Sequence, residues 1–134
     1  MNLAVCLLTS ALLFTPAVKQ EPNPIVTLVK AKLKHPDQPF VMLITVKVKV
    51  GKEKAFEAAM AETVKGTRQE KGNVAYRLHH DTEDANTYVL YEHWKNLDVM
   101  IEHMKLEHTE KLLKQLGDLL DGPPQIKVLT VVAE

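Results

Sequence analysis

From Phe40 to Val50 the chain alternates. Phe40, Met42, Ile44, Val46, Val48 and Val50 fall on one side of an extended segment, and Thr45, Lys47 and Lys49 on the other. A period of two with one side apolar specifies a β-strand with a buried face. Gly51 ends the run, and the period then changes. Over Lys52 to Lys71, residues Phe56, Ala59, Met60, Thr63, Val64 and Thr67 recur at helical spacing with charges opposite. Gly72 is placed to close that helix as its C′ residue. Val74 to Asp81 and Thr87 to Trp94 predict two more strands, joined by the turn formers Thr82 to Asn86. Asn96 can cap a second helix with the stripe Leu97, Met100, Ile101, Met104, Leu112, Leu116 and Leu119. Gly122-Pro123-Pro124 stops it, and Gln125 to Ala133 predicts a fourth strand. The order βαββαβ implies an α+β, ferredoxin-like domain over residues 40–134: a four-stranded antiparallel sheet with two helices on one face.

The other face of that sheet is not polar. Val41, Leu43, Val89, Tyr91, Leu129 and Val131 lie opposite Met42, Leu90 and Val128. Two helices cannot cover both sides. Packing against a second copy, as a homodimer, is the economical solution; the alternative is a set of β-formers on a twisted, half-exposed face.

The first forty residues read differently. Leu3 to Phe14 is an apolar run broken by Thr9 and Ser10, followed by the small-x-small sequence Thr15-Pro16-Ala17. That pattern fits a signal peptide over 1–17, although no Lys or Arg precedes the run. Cleavage would export the protein, to periplasm or medium, and remove Cys6; without cleavage the protein is cytoplasmic. Residues 18–39, with Pro22, Pro24, Pro36 and Pro39, read as a tether in which Ile25 to Lys34 can form one short strand or helical turn.

Composition removes several function classes. Lys+Arg and Asp+Glu are 17 each in 134 residues, so the basic excess of a nucleic-acid binder is missing. One cysteine excludes a disulfide framework and a Cys-based zinc site. No pair of the five glycines makes a GxGxxG or P-loop spacing, and no GxSxG occurs. No apolar run is long enough to span a membrane once a signal is removed.

A few polar residues sit where apolar ones belong. His108 joins the stripe Ile101, Met104, Leu112, and His103 flanks it. Five residues apart, they lie about 140° around a continuous helix and do not form a metal-binding pair; a break near Leu106 would make them converge. Alone, each has an ordinary structural explanation, as a core or boundary imidazole. Glu92 shares a strand face with Tyr88, Leu90 and Trp94, where a carboxylate must pair, take hydrogen bonds or hold its proton. Trp94 and Tyr76 are core aromatics or pocket walls, and Asn73 reads as a turn residue. His79, His80, Asp81 and His93 can be drawn as a metal site, but His79 and His80 point to opposite faces.

Glu70-Lys71-Gly72-Asn73, Tyr76-Arg77-Leu78, Tyr88-Val89-Leu90-Tyr91-Glu92-His93-Trp94, and the pair His103 and His108 together resemble the antibiotic biosynthesis monooxygenase domain family. The family motifs are E-x-G-x-x-x-Y-x-L, hydrophobic-x-L-x-E-x-W and H-x-x-x-x-H, and the match spans about residues 40–134. The resemblance implies a ferredoxin-like unit that dimerises into an α+β barrel. It also implies one of several chemistries. Haem-degrading members carry an Asn on the first strand, which Phe40 to Val50 lacks, and their haem-ligating His falls near Leu112 or Leu113. Phenol oxygenases of the family carry a catalytic Asn where this chain has Leu90, and a Trp matched by Trp94. Glu92, His103 and His108 look more like the quinol monooxygenase and isomerase branch.

On that resemblance the expected function is cofactor-independent oxidation of a small aromatic hydroquinone or phenol to a quinone by dioxygen. His103 or His108 is the base and Glu92 its orienter or proton partner, with Trp94, Tyr76, Asn73, Leu90 and Met104 around the substrate and no metal. Two alternatives stand beside it. One is an acid–base isomerase of a phosphorylated metabolite, with Lys105, Lys111 and Arg77 as a cationic edge. The other is a non-catalytic dimeric binding module.

Overall fold

A computed structural model describes residues 22–133. The expected signal segment and Cys6 lie outside the described residues. The elements are α1 Pro24–Lys32, β1 Phe40–Lys47, α2 Glu53–Thr67, β2 Asn73–His80, β3 Thr87–Trp94, α3 Leu97–His103, α4 Glu107–Leu119 and β4 Gln125–Thr130. The strands form one antiparallel sheet in the order β2-β3-β1-β4. The α+β, ferredoxin-like class is as expected, with four helices rather than two.

β1 and β3 form the centre of the sheet. Phe40 faces Trp94, Met42 faces Glu92 and Ile44 faces Leu90, and on β3's other side Glu92 faces Tyr76. With a side-chain period of two, this register puts Met42, Glu92 and Tyr76 in one row on the helix-covered face. α2 covers that face with Phe56, Met60, Thr63 and Thr67, all buried as its periodicity requires. β1 ends at Lys47, so Val50, expected on the buried face, is 88% exposed. Val48 is still buried and bridges to Leu120.

The expected second helix is two. Asn96 caps α3 as its sequence position suggests, its side-chain oxygen accepting from the Val99 amide at 3.0 Å. α3 stops at His103, and Leu106 is extended (φ −78°, ψ 147°) before α4 begins. The offset resets the phase, so His103 becomes buried and His108 half-buried, the reverse of their positions on one continuous helix.

α1 changes the reading of the Pro-containing segment. Asn23 caps it, accepting from Ile25 and Val26, and Pro24 takes the N1 position where its missing N–H costs nothing. Val29 is completely buried, and Lys32 donates to the Ile126 carbonyl of β4 at 3.1 Å. Over 24–32 the expected tether is a docked helix.

The turn between α2 and β2 depends on glycine. Gly72 has φ +95°, and a Cβ there would lie 2.8 Å from a Val99 methyl carbon of α3. Its carbonyl also accepts from the Lys95 amide. Gly72→Ala is expected to destabilise the domain by about 1–3 kcal/mol through backbone strain and this overlap. Urea unfolding of wild type and variant measures it; an unchanged midpoint contradicts the reading.

Candidate active site

Glu92 is fixed by the sheet. It is 5% exposed, and its row neighbours are Met42 and Tyr76. The Trp94 indole N–H donates to its Oε2 at 2.8 Å, and the Tyr76 hydroxyl also bonds to it. Burial is the larger influence. It raises the Glu92 pKa to about 7 against these two hydrogen bonds, helped by the nearby charge of Glu70. Near neutrality this carboxyl can hold or release a proton. Tyr76 is driven the same way, its phenol well above the usual value through burial and the adjacent carboxylates.

The second group forms where the helix break meets the α2–β2 turn. His103 Nδ1 lies 2.9 Å from Glu70 Oε1, and His108 Nε2 lies 2.7 Å from the same oxygen. An ionised carboxylate only accepts, so both imidazoles donate these protons. For neutral His103 that fixes the Nδ1–H tautomer and leaves Nε2 with its lone pair. Burial lowers the His103 pKa, opposed by Glu70, and favours this neutral form. The ring is held by Trp94, centroid to centroid 4.7 Å, and by Tyr76 at 5.6 Å. The Thr109 hydroxyl lies 3.3 Å from both ring nitrogens. Gly66 makes room for His108: a Cβ there would be 2.8 Å from the imidazole.

Between the sheet and the helices lies an apolar cavity of about 80 Å³. Glu92, His103, Tyr76 and Thr109 are the titratable and polar side chains at its wall; the rest is aliphatic, Phe56, Pro124 and methionine. Met42, Met60, Met100 and Met104 all line it, four of the chain's five methionines. The volume is below the ~150 Å³ that accommodates benzene, but flexible thioether side chains let such a cavity adapt.

A family model described as antibiotic biosynthesis monooxygenase matches residues 39–115. The chain belongs to this family. An uncharacterized protein of Synechocystis is 26% identical over 99 residues, spanning 74% of this chain and 67% of the relative. YcnE of Bacillus subtilis, which bears a provisional monooxygenase name, is 30% identical over 83 residues, spanning 62% of this chain and 87% of YcnE. Among solved structures, a Nitrosomonas europaea protein provisionally named for the same family superposes with a TM-score of 0.69 at 21% identity. It covers 75% of this chain and 96% of its own. A Pseudomonas aeruginosa protein gives 0.68 at 25% identity, covering 74% and 99%.

The family member described here departs from the sequence expectation at several residues. Of the expected residues, Glu92, His103, Tyr76, Leu90 and Met104 line the cavity. Trp94 does not line it; it holds Glu92 and His103 from behind. Asn73 is turned to the Ala75 carbonyl and is not part of the wall. His108 meets the cavity only through Glu70 and His103. Glu92 is not the orienter of either histidine. That role falls to Glu70, which the motif E-x-G contains but which periodicity cannot single out. The drawn His79, His80, Asp81 and His93 set does not assemble. His79 approaches the Val89 carbonyl, His80 the Ala85 carbonyl, and among the described residues only Glu70, His103 and His108 bring three such donors together. Lys105 pairs with Glu102, Lys111 with Glu62, and Arg77 is exposed, and none of the three lines the cavity.

The raised Glu92 pKa sets a pH signature. Between its ordinary 4.5 and about 7, the folded chain keeps a proton that the unfolded chain has released. Stability therefore falls as pH rises through that window and is level above it. Glu92→Gln keeps an acceptor for Trp94 and removes the charge. The variant is expected to lose this decline and to be the more stable protein at pH 8, by about 3 kcal/mol at most. Denaturant midpoints at pH 5 and pH 8 read the difference; parallel pH dependence in both proteins refutes it.

Proposed function

We propose that this protein is a cofactor-independent monooxygenase that oxidises a small aromatic phenol or hydroquinone to a quinone with dioxygen. The supporting observation is His103: a buried imidazole at the wall of an apolar cavity, with one nitrogen fixed by Glu70 and the other left as a base. Deprotonating a phenol makes the ring electron-rich enough to reduce dioxygen itself. A phenol with a free para position then gains one oxygen atom and becomes the quinone, the second oxygen leaving as water with two substrate hydrogens. A hydroquinone with a free ring position likewise gains one oxygen atom and leaves as the hydroxyquinone, the second oxygen again leaving as water with two substrate hydrogens.

The cavity supports the reading in three ways. Its apolar wall would protect a reactive anion from water. Glu92, with a pKa near neutrality, can supply or take a second proton. The volume favours one ring over fused rings. The isomerase alternative has less behind it, since among the described residues no Lys or Arg lines the wall to hold a phosphate.

Oxygen uptake with monocyclic hydroquinones and phenols, followed by naphthols, tests the proposal. Saturable uptake is expected, falling about 10²–10⁴-fold in His103→Ala, the usual worth of a general base. Uptake equal in wild type and variant, or none across the panel, removes the oxygenase reading and leaves a binding module.

We propose the homodimer as well. On the face away from the helices, Leu43, Val89 and Tyr91 are half-buried and Leu129 is 39% exposed. A second sheet would cover them. Light scattering on the purified chain is expected to give twice the monomer mass, and Tyr91→Glu to give the monomer; a wild-type monomer ends this proposal.

A further inference from the structure

The Glu70, His103 and His108 cluster has a second chemical capacity. Its three donor atoms, one carboxylate oxygen and two imidazole nitrogens, lie within 4.8 Å of one another. They come from separate places in the chain, Glu70 from the turn after α2, His103 from the end of α3 and His108 from the start of α4, and both imidazoles meet the same carboxylate oxygen. Two imidazoles and one carboxylate are the donor set of open, three-ligand zinc sites. Among the described residues no Lys or Arg pairs with Glu70; its partners are the two histidines.

We propose that Glu70, His103 and His108 bind one divalent transition ion of the zinc class, with the fourth position open to water. The distances permit it. The two N···O contacts of 2.7 and 2.9 Å would widen to about 3.3 Å, the ligand spacing set by metal bonds near 2.0 Å in a tetrahedron. An ion can arrive from outside. Glu70 and His103 also border a surface depression whose other charged residues are Asp98, Glu102 and Lys71, two acids to one base. Thr109 lies beside His103 and can steady the ring as it turns toward the ion.

Metal and base chemistry exclude one another here. An ion at His103 Nδ1 displaces the proton that Glu70 now accepts, and in a neutral ring that proton moves to Nε2. The nitrogen left for the cavity then becomes a donor. Each imidazole keeps one proton, so the exchange is balanced without oxidation or reduction. The bound form is an arrested one, and the ion is an inhibitor rather than a cofactor. This consequence rests on the oxygenase reading; the binding itself does not.

The test is a Co²⁺ titration of the chelator-stripped full chain without substrate, read by the visible absorption of four-coordinate cobalt and by its loss when Zn²⁺ is added. One equivalent per chain is expected. His108→Ala should weaken binding at least about tenfold, and since His108 is half-exposed the variant keeps its core. Gly66→Ala should weaken it comparably while leaving all three ligands present, because its methyl group displaces the His108 ring. His79→Ala/His80→Ala should bind like wild type. Absence of a saturable band in wild type overturns the proposal, as does equal affinity in His108→Ala. Inhibition of oxygen uptake by Zn²⁺ is scored separately, so failure of the oxygenase reading does not touch the binding result.

Discussion

The site depends on one interruption of backbone hydrogen bonding. Between His103 and Glu107 the chain leaves helical geometry for a single extended residue, Leu106, and re-enters it in α4. On an unbroken helix the two histidines would diverge. The interruption turns both toward Glu70, and the carboxylate repays the buried imidazole with a charge-assisted hydrogen bond. The tautomer assigned to His103 follows from that meeting, and its neutral state from burial, which Glu70 opposes. Gly66 and Gly72 serve the same meeting from the other side, one by making room for His108 and the other by allowing the tight turn that presents Glu70.

Two carboxylates near one histidine have different surroundings. Glu70 is partly exposed and has two N–H donors on one oxygen. Glu92 is deeper, with Trp94 and Tyr76 as its donors and no cation beside it among the described residues. Desolvation therefore dominates at Glu92. Glu70 holds the His103 ring in place, and Glu92 can exchange a proton near neutrality.

Most of the architecture was readable because its signals are local. The alternation of β1, the stripe of α2, the Asn96 cap and the β3 boundaries are each fixed by residues within a few positions of one another. The exceptions are tertiary. No Gly, Pro or Asn marks the break at Met104 to Leu106, and Lys105 and Leu106 are good helix formers. The phase of His103 and His108 was therefore inverted, and Glu70, whose role exists only after the break, could not be assigned. α1 was hidden for a similar reason: a nine-residue helix between prolines is held by burying Val29 against elements far along the chain, not by its own propensity. The motif order Glu70, Glu92, His103, His108 did carry the family resemblance, but resemblance gave the members of the site without their pairing.

The docking of α1 bears on how the protein is handled as an object. The family match begins at residue 39 and ends at 115, yet the cavity wall includes Ile25 before it and Leu116, Pro124 and Ile126 after it. Lys32 also ties α1 to the backbone of β4 beside this wall. The cavity is thus a property of the longer chain. Swapping the matched segment alone between relatives would carry over the acid–base groups while leaving behind much of the shape that selects what reaches them.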